Sequence, residues 1–137
     1  MTEDSDEPIT VDPNHVFPEG RAGHSQKYQA SKILAHLATG DWAAKHKPNF
    51  QLVTFHPSFV IGHDLAQTDG EPRGPNGLLL LSLASQKPII PSYFVHVLDV
   101  AEAYVRAVDA AFDKQPATVL LTGKPVSWDD IGAFVKD

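Results

Sequence analysis

The sequence predicts an α/β fold with a mainly parallel sheet, and three observations predict it. The chain has 137 residues, 42% of them hydrophobic, which is enough for one domain and too little for two. Segments with helical apolar spacing alternate with short runs rich in β-branched and aromatic residues. The resulting order is loop, α, β, loop, α, β, α, β, α, which is the alternation of helices layered on parallel strands.

Each element has its own signal. Residues 1–25 read as an irregular acidic loop, punctuated by Pro8, Pro13, Pro18, Gly20 and Gly23, and residues 26–137 as the α/β body. From Gln26 to Lys45 the apolar stripe Ile33, Leu34, Leu37, Ala38 and Trp42 predicts a helix that Pro48 ends. Gly40 weakens its middle by about 1 kcal/mol relative to alanine. Gln51 to Phe55 reads as a strand that must stop at Pro57, because proline cannot donate to a ladder. Residues 63–77, broken by Gly70, Pro72, Gly74, Pro75 and Gly77, predict a flexible loop, and a short helix follows from Leu78 to Ser85. Tyr93 to Val97 predicts a second strand. Asp99 is the expected N-cap of a helix over Val100–Phe112, with Ala101, Tyr104, Val105 and Val108 as its buried stripe. Ala117 to Leu121 is the third strand, and Ser127 with Asp130 forms a capping-box pattern before a last helix. Three short strands leave bare sheet edges, so self-association through them is an expectation.

Composition removes several classes. There is no cysteine, hence no disulfide framework and no thiolate metal site. No apolar run reaches membrane-spanning length, and no basic region with an apolar core opens the chain, so a cytoplasmic protein without a membrane partner is expected. The net charge is −6, but five of the seventeen acids lie in the first twelve residues, leaving twelve acids against eleven bases. No basic stripe is present to bind nucleic acid. The seven histidines never fall three or four residues apart, so no metal site of the HExxH kind is expected. The GxSxG elbow of serine hydrolases is absent, and Gly123-Lys124 lacks the lead of a phosphate-binding loop.

Tyr28-Gln29-Ala30-Ser31-Lys32 carries the chemistry. On a helix, residues four apart share a face, so Tyr28 and Lys32 point the same way. An ammonium beside a phenol favours the phenolate, and such a phenol can pass a proton to or from a carbonyl oxygen. A nicotinamide that moves a hydride needs that partner, because the cofactor carries electrons and not the proton. The same spacing also occurs on ordinary solvated helix faces.

Three segments, YQASKILAH (28–36), FHPSFVIGHDL (55–65) and YFVHVLDVAEAYVRAV (93–108), occur in an order and spacing that resembles the extended short-chain dehydrogenase/reductase family. The nearest branch holds the dihydroflavonol reductases, cinnamoyl-CoA reductases and fungal carbonyl reductases. The resemblance runs from Tyr28 to the end of the chain. It implies a partial Rossmann-like sheet and an NAD(P)-dependent ketone reductase chemistry, with NADP, or alternatively NAD, as cofactor and a small carbonyl compound as substrate. Tyr28 would be the general acid/base. Lys32 would hold the nicotinamide ribose and stabilise the phenolate. Pro57 and the backbone at Val60 would lie along the nicotinamide. The loop after Gly62 and the segment at Tyr93 would line the substrate pocket. The run His-Pro-Ser-Phe-Val-Ile-Gly (56–62) favours the reductases over the sugar-nucleotide epimerases and dehydratases of the same family.

The chain also departs from the pattern. The glycine-rich turn that grips the pyrophosphate has no counterpart, and none of Thr2, Ser5 and Thr10 follows a strand, as the family's carbonyl-binding Ser or Thr does. His36 and Gly40 replace residues usual in the family's helix, which is expected to loosen it. The expectation is a carboxyl-side portion without the dinucleotide-binding half, poor at binding NADP(H) and nearly inactive alone. The rival expectation is a non-catalytic, reductase-like module that binds a partner through its sheet edge and the Leu78–Leu81 patch.

Overall fold

The computed structural model describes residues 11–12, 14–85 and 88–136. Glu3, Asp4, Asp6, Glu7 and the candidate hydroxyls Thr2, Ser5 and Thr10 lie outside them. The elements run α1 (Gly20–His46), β1 (Val53–Pro57), β2 (Phe59–Ile61), α2 (Gly74–Ala84), β3 (Phe94–His96), α3 (Val97–Val108), β4 (Ala117–Leu121) and α4 (Trp128–Lys136). β2 and β3 pair in parallel, Phe59 opposite Phe94, Val60 opposite Val95 and Ile61 opposite His96. β1 pairs with β4. Ala117 N–H donates to the Leu52 carbonyl at 2.8 Å and Ser58 N–H to the Leu121 carbonyl at 2.8 Å, so these strands also run the same way. The predicted α/β class, with short parallel strands and a partial Rossmann-like order, is the observed one.

The chain forms two compact units. The first takes the described residues up to Thr54 together with Phe112–Thr118; the second takes Phe55–Ala111 and the described residues from Val119 on. α1 dominates the first. It begins at Gly20, not at Gln26, because the glycines that read as punctuation build its start. Gly20 turns the chain at φ +78, and a Cβ on Gly23 would lie 1.6 Å from the Pro18 carbonyl oxygen. The helix runs unbroken through His36 and Gly40, and no atom lies within 4 Å of a Cβ built at Gly40. It ends as expected before Pro48: Lys47 adopts the left-handed conformation, φ 44 and ψ 61, and its N–H bonds the Ala43 carbonyl. Of the expected stripe, Leu34, Leu37 and Trp42 stay 43–49% exposed, while Ala43 is buried. Trp42 stacks on His46, with ring centroids 5.0 Å apart.

The second unit corrects four expectations. Phe59–Ile61 is a strand rather than loop: Pro57 ends β1 but leaves its neighbours extended, and the run Phe-Val-Ile finds β3 as a partner. Residues 63–73 form the expected loop, with local turns within it. Asp64 and Asp69 accept from the N–H groups of Ala66 and Glu71, and Asp69 pairs with Arg73. α2 starts at Gly74, where Pro75 in the first turn suits a helix start that lacks hydrogen-bond partners. The N-cap of α3 is His96, whose Nδ1 accepts from Leu98 N–H at 3.2 Å; Asp99 falls in the first turn, where its charge meets the helix dipole. Finally, Val97, Val100, Ala103 and Ala107 form the covered face of α3. Val105 and Val108 are 70% and 81% exposed, so the expected stripe lies on the open side. Tyr104 is half-covered by Phe55, stacked on it at 4.3 Å.

Phe94 anchors the unit edge-on to Phe59 at 6.2 Å and to Trp128 at 6.1 Å. Ser127 caps α4 as predicted, accepting from Asp130 N–H at 3.0 Å and donating to the Asp130 carboxylate at 2.6 Å. Ile90 and Val95 are buried here, and Ala43 and Ala117 in the first unit. Among the described residues no side chain is fully buried and no helix is long and apolar enough to cross a membrane.

Candidate functional site

In the first unit, α1 does what the spacing requires. Tyr28 and Lys32 lie one turn apart on the same face, and the Lys32 ammonium stands 5.4 Å from the Tyr28 ring centroid. Their pairing follows from unbroken helix alone, reinforced by Ser31, whose hydroxyl donates to the Tyr28 carbonyl at 2.7 Å. Tyr28 is 60% exposed, which leaves its phenol open to a ligand. The pair is therefore a solvent-facing phenol with a cation over its face. This arrangement can hold a polar ligand and deliver a proton to it.

In the second unit, Pro57 closes β1 and is exposed, and Val60 is the middle residue of β2. Tyr93 precedes β3; its side chain is exposed and its carbonyl accepts from Phe59 N–H at 3.2 Å. A cavity of about 660 Å³ opens at the carboxyl end of β2. Its walls are Val60–Leu65, the first turn of α2 with Arg73 to Asn76, and the start of α3. Open α/β sheets bind ligands at this end of their strands. Val60 lines the cavity, while Pro57 and Tyr93 are not among its lining residues.

Two residues that line this cavity escaped the sequence reading. Asn76, inside a stretch read as flexible loop, bonds both polar groups of Gly62: its Nδ2 donates to the Gly62 carbonyl at 2.6 Å, and its Oδ1 accepts from Gly62 N–H at 3.1 Å. His96, read as a strand residue, faces the same glycine. A Cβ built on Gly62, which sits at φ +129, would lie 2.8 Å from His96 Nε2. The signal available in sequence was the glycine ending a strand, followed fourteen residues later by an asparagine beside Pro75.

A nicotinamide cofactor can be tested against these groups. The exposed phenol and ammonium on α1 fit a ribose and a reacting carbonyl. The pyrophosphate grip is a different matter: among the described residues no glycine-rich turn joins a strand directly to a helix. Among the described residues, too, no group of three or more His, Cys, Asp or Glu is arranged to hold a metal ion.

Fold and side chains thus define an α/β chain with a tyrosine–lysine pair on one helix and a cavity at a strand's carboxyl end. Its relatives are reductases by name. The chain is 32% identical over 99% of its length to Ketoreductase sphI of Aspergillus fumigatus, and 32% identical over 99% to Ketoreductase CTB6 of Cercospora beticola. It is also 32% identical over 95% to GRP2 of Candida albicans, provisionally named an NADPH-dependent methylglyoxal reductase. The chain spans 43%, 40% and 38% of these proteins. No family model matches it, and no solved structure matches it significantly.

Proposed function

We propose that this chain carries the proton-transfer portion of an NAD(P)-dependent ketone reductase of the dihydroflavonol and cinnamoyl-CoA reductase branch. The observation that carries the reading is the Lys32 ammonium over the Tyr28 ring. Support comes from relatives that bear ketoreductase names across nearly the whole chain.

In this reading Tyr28 gives its phenolic proton to the substrate oxygen as the carbonyl double bond opens, and solvent returns a proton to the phenolate. Lys32 hydrogen-bonds the ribose and stabilises the negative charge left on Tyr28. Pro57, Val60 and Tyr93, all in the second unit, are the residues for which the resemblance implies contacts with nicotinamide and substrate. When bound, the cofactor supplies the hydride that the carbonyl carbon accepts. NADP is the cofactor proposed, on the strength of the name carried by the Candida relative.

The test uses the longest in-frame polypeptide that contains this chain. NADPH consumption with a ketone is expected to fall by two to four orders of magnitude in Tyr28→Phe, the usual weight of a general acid. Retention of more than a tenth of wild-type activity overturns the assignment. The 137-residue chain alone is expected to bind NADPH weakly; calorimetry giving a micromolar dissociation constant refutes that.

A second reading has its own support. Leu80 and Leu81 on α2 are about half exposed, and α3 displays Val105 and Val108. A non-catalytic module would use such surface to hold a partner or a second copy. It predicts concentration-dependent association by size-exclusion chromatography and no effect of Tyr28→Phe.

A further inference from the structure

Arg21 occupies a place that local chemistry disfavours. It is the second residue of α1, where the positive end of the helix dipole repels a cation. The first turn holds no acid to offset it. From Gly20 to Gly40 the helix carries Arg21, Lys27 and Lys32 and no Asp or Glu. Glu19, the N-cap, makes no side-chain cap bond, and among the described residues Arg21 forms no ion pair. A residue set against a local rule without a structural return marks a place to look for function.

Its position supplies that function. Arg21 precedes Tyr28 by seven residues, which on an α-helix is about 10 Å along the axis and roughly 20° around it. Lys32 follows Tyr28 by four residues, roughly 40° around the axis. Arg21, Tyr28 and Lys32 therefore share one face of α1, with His24 between the first two, and all four are exposed. The chain that leads into the helix leaves this face open. Its residues His15 and Phe17 lie across a cleft from Gln26, Ala30 and Ile33, on the opposite side of α1. The entry is also fixed, because the Pro18 carbonyl packs against Gly23 where no side chain would fit. All of these residues belong to the first unit.

A guanidinium stays charged, and its planar fork matches the two oxygens of a carboxylate. In the ketone-reductase reading Lys32 is committed to the ribose, which leaves Arg21 as the cation on this face free to meet the substrate. We propose that Arg21 is a specificity-determining residue that holds a carboxylate of the substrate, so that the substrate is a keto acid whose two groups stand about 10 Å apart. The inference rests on the ketone-reductase reading for the carbonyl end, but its binding test needs no hydride transfer.

The probe is 9-oxodecanoate, a ketone and a carboxylate joined by an extended chain of that reach. Its methyl ester is the neutral comparison and 8-oxononylphosphonate the alternative anion. Each is titrated into the ¹⁵N-labelled 137-residue chain. The amides of Arg21 and His24 are expected to shift saturably with the acid and to stay unmoved with the ester, and the phosphonate is expected to bind no tighter than the acid. Arg21→Ala is expected to weaken binding of the acid at least tenfold, and Arg21→Lys, which keeps the charge without the fork, to restore part of it. The urea midpoint of Arg21→Ala is expected to stay in place or rise, so that lost affinity is not lost fold. In the longest in-frame polypeptide, the preference for acid over ester in kcat/KM is expected to fall at least tenfold in Arg21→Ala, mainly through KM. The proposal is overturned if the ester shifts the same amides equally, if Arg21→Ala binds the acid as wild type does, or if the phosphonate binds tenfold tighter than the carboxylate. A failure of the reductase reading looks different, namely Arg21-dependent binding intact with no Tyr28-dependent NADPH consumption.

Discussion

Replacing Gly62 by alanine should be among the most damaging single-methyl changes available in this chain. Two costs combine. The residue sits at φ +129, a region that only glycine occupies without strain, and forcing another residue there costs on the order of 1–3 kcal/mol. The new methyl would also stand 2.8 Å from both His96 Nε2 and Val97 Cγ1. His96 cannot swing away freely, because its Nδ1 is engaged with Leu98 N–H. Overpacking of this kind costs about 1–3 kcal/mol more. The total is about 2–6 kcal/mol, a large share of the roughly 5–15 kcal/mol that holds an ordinary domain together. Gly40→Ala is the internal control. That glycine lies mid-helix with nothing within 4 Å of its missing Cβ, so the change should stabilise by about 0.5–1 kcal/mol. Urea unfolding followed by circular dichroism measures both. The geometric argument is refuted if Gly62→Ala loses less than about 1 kcal/mol, or if the two substitutions move the midpoint in the same direction.

Other outcomes follow from single contacts. Ser127→Ala removes the acceptor for Asp130 N–H and should cost about 0.5–2 kcal/mol by the same urea assay. A double-mutant cycle on Phe55 and Tyr104, whose rings stack at 4.3 Å, should return a coupling of about 0.5–1.5 kcal/mol; a value near zero would mean the stacking contributes only area. Tyr28→Phe, at a position 60% exposed, should shift the thermal midpoint by no more than about 0.5 kcal/mol allows, so that its loss of reduction cannot be ascribed to unfolding.

Much of this architecture is legible in the residues themselves. The strand Ala117–Leu121, the Ser127 cap and the stop before Pro48 rest on local rules that tertiary structure did not override. The Tyr28–Lys32 pairing is equally local, since any helix through that stretch produces it. What was illegible depended on partners distant in sequence. Phe59–Ile61 becomes a strand only because Phe94–His96 lies alongside. Val105 and Val108 look like core until the packed face of α3 proves to be Val97, Val100, Ala103 and Ala107. Asn76 reads as a loop residue because its partner, Gly62, is fourteen positions away. The early start of α1 was hidden for another reason. Gly20 acts there through its positive φ and Gly23 by admitting the Pro18 carbonyl, where a propensity rule sees only helix breakers.

The placement of the two tryptophans gives the molecule a built-in pair of optical reporters. Trp42 belongs to the first compact unit and Trp128 to the second, so each emits from one unit only. Trp42 lies stacked against the His46 imidazole, whereas Trp128 meets the Phe94 ring at right angles. Variants that retain one indole at a time would therefore show whether the two units melt together or in sequence.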